Sequence, residues 1–569
     1  MPPAVSFLAY HLGATRAVGR GDAFRIALIA ALHFASLAIM AFTEADIVAK
    51  LAFLLAWGIV NFFWLGLTRR PTVSAALSLA MIVILVLVSR LKYDIIWMTA
   101  NFLDVMIIDN DTISFLLSIM PGLYRNIVIS VVVVLPLVMA LWRFDTFRMR
   151  FRTSAIGFSA CLAGITVVSL AQPQEDWETF LSGSYVSKFA RSGVTALSEL
   201  MVHGYLESDA VVADRLKMLP EATCMPSQKP PHIILVHDES SFDIRVAPGI
   251  KVPPGYGSHF VSFDGKARHF VVEGAGGPSW YTEYNVLAGL SARSFGKFSY
   301  YVTRIAAGRV ERGLPTALRR CGYHTFSIYP ALGAFMSARS FQTSTGMQNF
   351  VDQQSLGTNR VEPDQFYYEA ARRMIAREHA NGPMFLFVYL AQNHYPWNYR
   401  WRPDLLPEWK DLGNTPPVDE YLRRQALSER DYADLLDHLK HDFPDESFLL
   451  VRYGDHQPDF ASFILEPSLD EAGIAQRLTS YDARYFTTYY AIDAINYQPV
   501  NLSTARDTIE GPYLPLITQE LAGLPLDASF AEQKRIFLRC KGQFYACAGG
   551  AEARRFNRLL IDAGLIKGL

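Results

Sequence analysis

Residues 447–456 read SFLLVRYGDH, an apolar run that ends in two side chains able to hold a cation. Two further runs share the form: HIILVHDE at 232–239 and MFLFVYLAQNH at 384–394. Each is rich in Ile, Leu, Val and Phe, as in strands covered on both faces. Longer amphipathic segments separate them, so an α/β domain with a mostly parallel sheet and covering helices is expected over 229–530. Open parallel sheets bind ligands outside the carboxyl ends of their strands. Glu239, His394, and Asp455 with His456 occupy that end of the three runs, so folding would gather them. Carboxylates with imidazole suit Mn, Zn or Mg. A single Glu or Asp after a strand is as readily a turn residue. It is the recurrence on three strand ends that points to a metal or phosphate site.

A nucleophile candidate lies in GAGGPSWYTEYNVLAGL at 274–290. Glycines and Pro278 precede a stretch that reads as a helix from Trp280. Ser279 then falls at a helix N-terminus, where N–H groups and the helix dipole favour an incoming phosphate. A serine hydroxyl needs a base or a metal to become a nucleophile, and an ion held by Glu239, Asp455 and His456 would serve. Taken alone, Ser279 reads equally as an N-cap.

The first 172 of the 569 residues differ from the rest. Hydrophobic residues make up 51% of the chain and mean hydropathy is +0.14, but the long apolar runs concentrate here. A spanning helix needs about 20 mostly apolar residues, and five segments qualify: 23–42, 48–67, 71–89, 123–142 and 153–171. Four more spans follow the first, which reads as a retained anchor rather than a cleaved signal. Arg16 and Arg20 precede span one, and Glu44 and Asp46 follow it. Arg69 and Arg70 follow span two, and Arg143, Arg148, Arg150 and Arg152 separate spans four and five. By the positive-inside rule the N-terminus faces the cytoplasm and residues 173–569 lie outside. The segment 94–122, with Asp104, Asp109 and Asp111, reads as either a re-entrant piece or an outer loop. A helical linker is expected over 173–228, and residues 531–569 form a C-terminal extension with a Cys pair. Net charge is -1, with no basic excess to suggest nucleic acid.

Cys161 falls in span five. Cys224, Cys321, Cys540 and Cys547 fall in the outer part, an even number in a compartment that permits disulfides. Cys540 and Cys547 are close, with Gly542 between them, and are expected to pair. Cys224 and Cys321 are then the remainder. No CxxC spacing supports a cysteine metal site.

In order along the chain stand HDES at 237–240; Ser279 with Glu283 and Tyr284; Leu314, Pro315, Leu318, Gly322, Tyr323 and Thr325; His394, Pro396 and Trp397; and YGDH at 453–456. This set resembles the lipoteichoic acid synthase-like phosphoglycerol transferases, a branch of the sulfatase and alkaline phosphatase superfamily. Five spans followed by an extracytoplasmic domain is that family's layout. The resemblance implies that Glu239, Ser279, Asp455 and His456 ligate one divalent ion, commonly Mn, with Mg or Zn as alternatives. It implies that His394 hydrogen-bonds the phosphate. Arg339, in FMSAR at 335–339, resembles the arginine of a substrate-binding Trp-Asn-Arg motif whose Trp and Asn are missing here. The family nucleophile is usually Thr. Ser279 lacks the following x-Pro-x-Arg that formylglycine maturation requires, which argues against a sulfatase. Phosphoethanolamine transferases usually carry more disulfides and a Thr-Ala-rich nucleophile stretch, and neither is visible.

The resemblance thus implies a multi-pass enzyme of the cell inner membrane with its catalytic domain in the periplasm. It would move phosphoglycerol from phosphatidylglycerol to an envelope glycan through a covalent intermediate on Ser279. A phosphoethanolamine transferase or hydrolase of the same fold is the alternative, and a non-catalytic membrane sensor is the second.

Overall fold

The computed structural model describes residues 20–569 apart from 97, 107, 109, 112, 114–116, 118–121, 176, 177, 179, 180, 213, 214, 217–223, 225, 227 and 228. Arg16 and Asp109, used above for membrane orientation and for the outer segment, lie outside the described residues. The chain divides into two compact units, Met1–Asp109 with Leu116–Val202, and Asn110–Phe115 with His203–Leu569.

Five long apolar helices dominate the first unit: α1 (Arg20–Thr43), α2 (Ile47–Thr68), α3 (Pro71–Ile96), α4 (Leu123–Phe144) and α5 (Phe151–Ala171). Each is long and apolar enough to cross a membrane. The shortest has 21 residues, or about 30 Å at 1.5 Å per residue, the thickness of a bilayer core. Small residues let α2 and α5 approach closely. A Cβ on Gly157 would stand 2.5 Å from the Phe62 ring, and one on Gly58 2.5 Å from Cys161 Sγ, the packing device of helices that lipid does not drive together. Buried Asp145 closes α3, accepting the Thr72 N–H at 2.7 Å, so a carboxylate satisfies a helix N-terminus. Asp104 pairs with Lys92 at 2.8 Å. After α5, α6 (Tyr185–His203) begins where Glu44 accepts the Val186 N–H at 3.2 Å and the Ser187 hydroxyl at 2.5 Å.

Among the described residues the second unit is built on eight strands: β1 (His232–Asp238), β2 (Arg268–Val271), β3 (His324–Ile328), β4 (Asn349–Val351), β5 (Met384–Tyr389), β6 (Phe448–Gly454), β7 (Thr487–Ile495) and β8 (Thr508–Glu510). Their order is β4-β3-β5-β1-β6-β7-β2-β8. The three apolar runs are β5, β1 and β6, adjacent and parallel at the centre. β3 and β4 extend the parallel set. β7 pairs antiparallel with β6 and β2, so the sheet is mixed but mostly parallel. One face packs Ile234, Val236, Leu386, Val388 and Leu450 against α8 (Asp364–Glu378) and α9 (Pro416–Asp442) through Tyr367, Ala371, Leu435 and Leu439. The alternate residues His237, Tyr389 and Tyr453 point to the opposite face, because successive strand side chains alternate.

Both expected disulfides are present. Cys224 bonds Cys321 with Cα atoms 4.8 Å apart, and Cys540 bonds Cys547 at 5.7 Å.

Candidate active site

Strand register gathers the first residues. His237 lies opposite Tyr389 on one side and Tyr453 on the other, and Asp238 opposite Gly454. Glu239, Asp455 and His456 therefore leave the sheet together. Gly454 permits this closeness, because a Cβ there would fall 1.8 Å from the Ser241 carbonyl oxygen. Ser240 turns the chain with φ 52°, a left-handed conformation uncommon outside glycine. That turn aims its N–H at Asp455 Oδ1, 2.7 Å away, and the His456 N–H reaches the same oxygen at 2.8 Å. The Thr282 hydroxyl donates to the Asp455 carbonyl at 2.6 Å, and the Thr488 hydroxyl to the Gly454 carbonyl at 2.7 Å.

The helix α7 (Ser279–Ala288) begins one residue earlier than expected, with every residue buried. Gly276 leads into it with φ 68° and donates its N–H to the Gln457 carbonyl at 3.2 Å. This fastens the glycine loop beside His456. The N-cap position falls to Pro278, so Ser279 is the first helical residue. Its hydroxyl donates to Glu239 Oε2 at 3.3 Å, and Oγ stands 3.1 Å from His456 Nε2. The N-cap alternative thus does not describe this serine.

The four residues form a tight polar set in a buried place. His456 Nε2 is 3.5 Å from Glu239 Oε1 and 3.4 Å from Asp455 Oδ2. Burial alone would lower the His456 pKa, but Asp455 and Glu239 outweigh it and raise it to about 9. Burial opposes ionisation of Asp455, yet His456 and His237 hold its carboxyl well below the usual range. Both shifts show a cluster that demands positive charge.

A divalent cation fits that demand. Metal–ligand bonds of about 2.0–2.1 Å in a tetrahedron separate ligand atoms by about 3.3 Å, and the four distances above run from 3.1 to 3.5 Å. Asp455 Oδ2 is buried without a hydrogen-bond partner among the described residues. His456 Nδ1 lies 2.8 Å from the Gln457 carbonyl; an N–H donated there leaves the Nε2 lone pair facing the cluster, as in metal-binding histidines.

The structure leaves two sequence candidates apart from these contacts. β5 ends at Tyr389, and His394 follows a turn in which its N–H donates to the Ala391 carbonyl at 3.0 Å. Its ring is exposed, with Nδ1 2.8 Å from the Tyr395 carbonyl. Buried Arg424 holds this loop, donating to the carbonyls of His394 and Pro396 at 2.8 Å each. Arg339 is exposed and pairs with Asp352 at 2.7 Å while donating to the Phe350 carbonyl at 3.1 Å.

Sequence reasoning missed His237. It lies within the apolar run 232–239, two residues before Glu239, and that spacing puts both on one face of an extended chain. One ligand atom from each of His237, Glu239 and Asp455 falls within 4.8 Å of the others. The intervening Asp238 points elsewhere, accepting from the Tyr489 hydroxyl and lying 2.9 Å from His259 Nε2.

The sulfatase family model matches residues 276–488, a span that holds Ser279, His394, Asp455 and His456. No curated protein matches the chain. Among solved structures, the phosphoglycerol transferase GacH of Streptococcus pyogenes, in complex with sn-glycerol-1-phosphate, is similar at 13% identity. That match covers 60% of this chain and 88% of that one, with a TM-score of 0.46. The lipoteichoic acid synthase LtaP of Listeria monocytogenes is 15% identical over 53% of this chain and 74% of its own, with a TM-score of 0.40. The lipooligosaccharide phosphoethanolamine transferase A of Neisseria meningitidis is 13% identical over 84% and 96%, with a TM-score of 0.43. The stretch 276–488 of this chain is thus sulfatase-like.

Proposed function

We propose that this protein is a membrane-bound transferase that moves a phosphoglycerol group from a phospholipid to an envelope glycan, with Ser279 as nucleophile. The observation that carries the reading is the Ser279 hydroxyl, at the head of a buried helix and within 3.3 Å of both Glu239 and His456. Glu239, Ser279, Asp455 and His456 would hold one divalent cation, whose charge would favour the alkoxide form of Ser279. The hydroxyl proton is directed at Glu239 Oε2. Ser279 Oγ attacks the head-group phosphorus, the P–O bond to diacylglycerol breaks, and diacylglycerol leaves with a proton. An acceptor hydroxyl then displaces Oγ and releases free Ser279. N–H groups at the start of the helix face the phosphoryl oxygens as charge grows on them. His394 and Arg339 are proposed to bind the substrate phosphate.

The five apolar helices would keep the catalytic unit at the lipid surface, which raises the effective concentration of a lipid donor. Two disulfides in the second unit support its placement in the periplasm. Incubating the purified full chain with mixed phospholipids and weighing the Ser279 peptide tests the reading. A phosphoglycerol adduct, absent from Ser279→Ala, is expected. A phosphoethanolamine adduct would reassign the donor, and turnover by Ser279→Ala would overturn the nucleophile.

A further inference from the structure

His237 is fully buried, and its surroundings fix its ring. It stacks on Tyr389 with centroids 3.8 Å apart, and its Nδ1 lies 2.8 Å from the Tyr453 hydroxyl. Among the described residues the other nitrogen, Nε2, has no hydrogen-bond partner, and neither has Asp455 Oδ2. The two atoms are 3.1 Å apart, an approach that does not complete a hydrogen bond. Two buried polar atoms that approach without bonding lose much of the stabilisation that either could gain. A common third partner resolves both. His237 also repeats the arrangement of His456: Nδ1 is engaged by an oxygen and Nε2 faces the carboxylates.

We propose that His237 is a direct ligand of the divalent cation, donating through Nε2 beside Asp455 Oδ2. This rests on the metal site proposed above and adds a second imidazole to it. The shell then expands from the four ligands above to five, two imidazoles, two carboxylates and the Ser279 oxygen, a coordination number that catalytic zinc can reach. Magnesium and manganese prefer oxygen ligands, whereas imidazole suits zinc. The second imidazole therefore tilts the site toward zinc and away from the manganese expected from the resemblance. The Tyr453 hydroxyl, as acceptor of the Nδ1 proton, orients the ring and selects the tautomer.

X-ray absorption on the zinc-loaded, wild-type full chain counts imidazoles directly and needs no variant. Two histidine nitrogens per zinc are expected. One would overturn the ligand assignment while leaving the metal site standing, and failure to bind stoichiometric zinc would overturn the metal site itself. Titration of His237→Gln with zinc and with manganese gives a second measurement. Its zinc affinity should fall more than about 100-fold, beyond the usual 10–100-fold cost of losing an outer partner, and its manganese affinity should fall less. Equal losses for both ions would contradict the proposed selectivity. Tyr453→Phe, which keeps the ring and removes the hydroxyl, should lower zinc affinity within that 10–100-fold range. An unchanged affinity would remove Tyr453 from the account.

Discussion

Glu283 lies one turn along the helix from Ser279 and is buried. Gln342 donates to its Oε1 at 2.9 Å, while Oε2 has no hydrogen-bond partner among the described residues. Burial raises the carboxyl pKa and the Gln342 bond lowers it only in part, so it stands at about 8 against an ordinary 4.5. Below pH 4.5 the group is protonated whether the chain is folded or not, and its contribution to stability is fully present. Above that the unfolded chain ionises while the folded one keeps its proton, and the contribution is lost as pH rises through 8. At about 1.4 kcal/mol per pH step, the loss between pH 5 and pH 8 comes to about 3–4 kcal/mol. Glu283→Gln keeps the shape and the Gln342 contact and removes the titration. Thermal unfolding of the full chain in detergent, followed by intrinsic fluorescence, should show the variant gaining on the wild type as pH rises. The gain should be about 4 °C between pH 5 and pH 8, at roughly 1 °C per kcal/mol for a unit of this length. Every other titrating group is shared, so the difference isolates Glu283. A wild-type-minus-variant gap that stays constant over this range would refute the assignment of a protonated, buried carboxyl.

Gly454→Ala should be severely damaging, because its Cβ would meet the Ser241 carbonyl at 1.8 Å between backbone segments that cannot swing aside. A loss beyond about 3 kcal/mol, the upper end for ordinary overpacking, is expected in thermal melts, together with weaker metal binding as Asp455 shifts. Glu420→Gln should cost about 3–5 kcal/mol, the usual loss when one partner of a buried ion pair is removed. Glu420 is buried and lies 2.9 Å from Arg423 and 2.8 Å from Arg424. Since Arg424 also holds the His394 and Pro396 carbonyls, limited proteolysis should cut the 394–401 loop faster in this variant.

The amino-acid sequence alone determined the elements whose signals are local. Five apolar stretches of about 20 residues, enough to cross a bilayer core as helix, became five long helices, the form that satisfies every backbone polar group internally. Three runs of Ile, Leu, Val and Phe became the three central strands, because only residues covered on both faces are apolar without alternation. Glu239, Asp455 and His456 were legible because parallel strands in register must release their following residues at one edge. Ser279 was legible as a helix start, but its hydroxyl could have capped the helix or faced the cluster. Tertiary structure decided that, by fastening Gly276 to Gln457 and so carrying Oγ to His456. Tertiary structure also stopped β5 at Tyr389 and left His394 in an exposed turn, since strand length depends on neighbours across the sheet. His237 had a period-two signal in the sequence. Its meaning came only from the pairing of β1 between β5 and β6, which set Tyr389 and Tyr453 around the ring and Asp455 beside its free nitrogen.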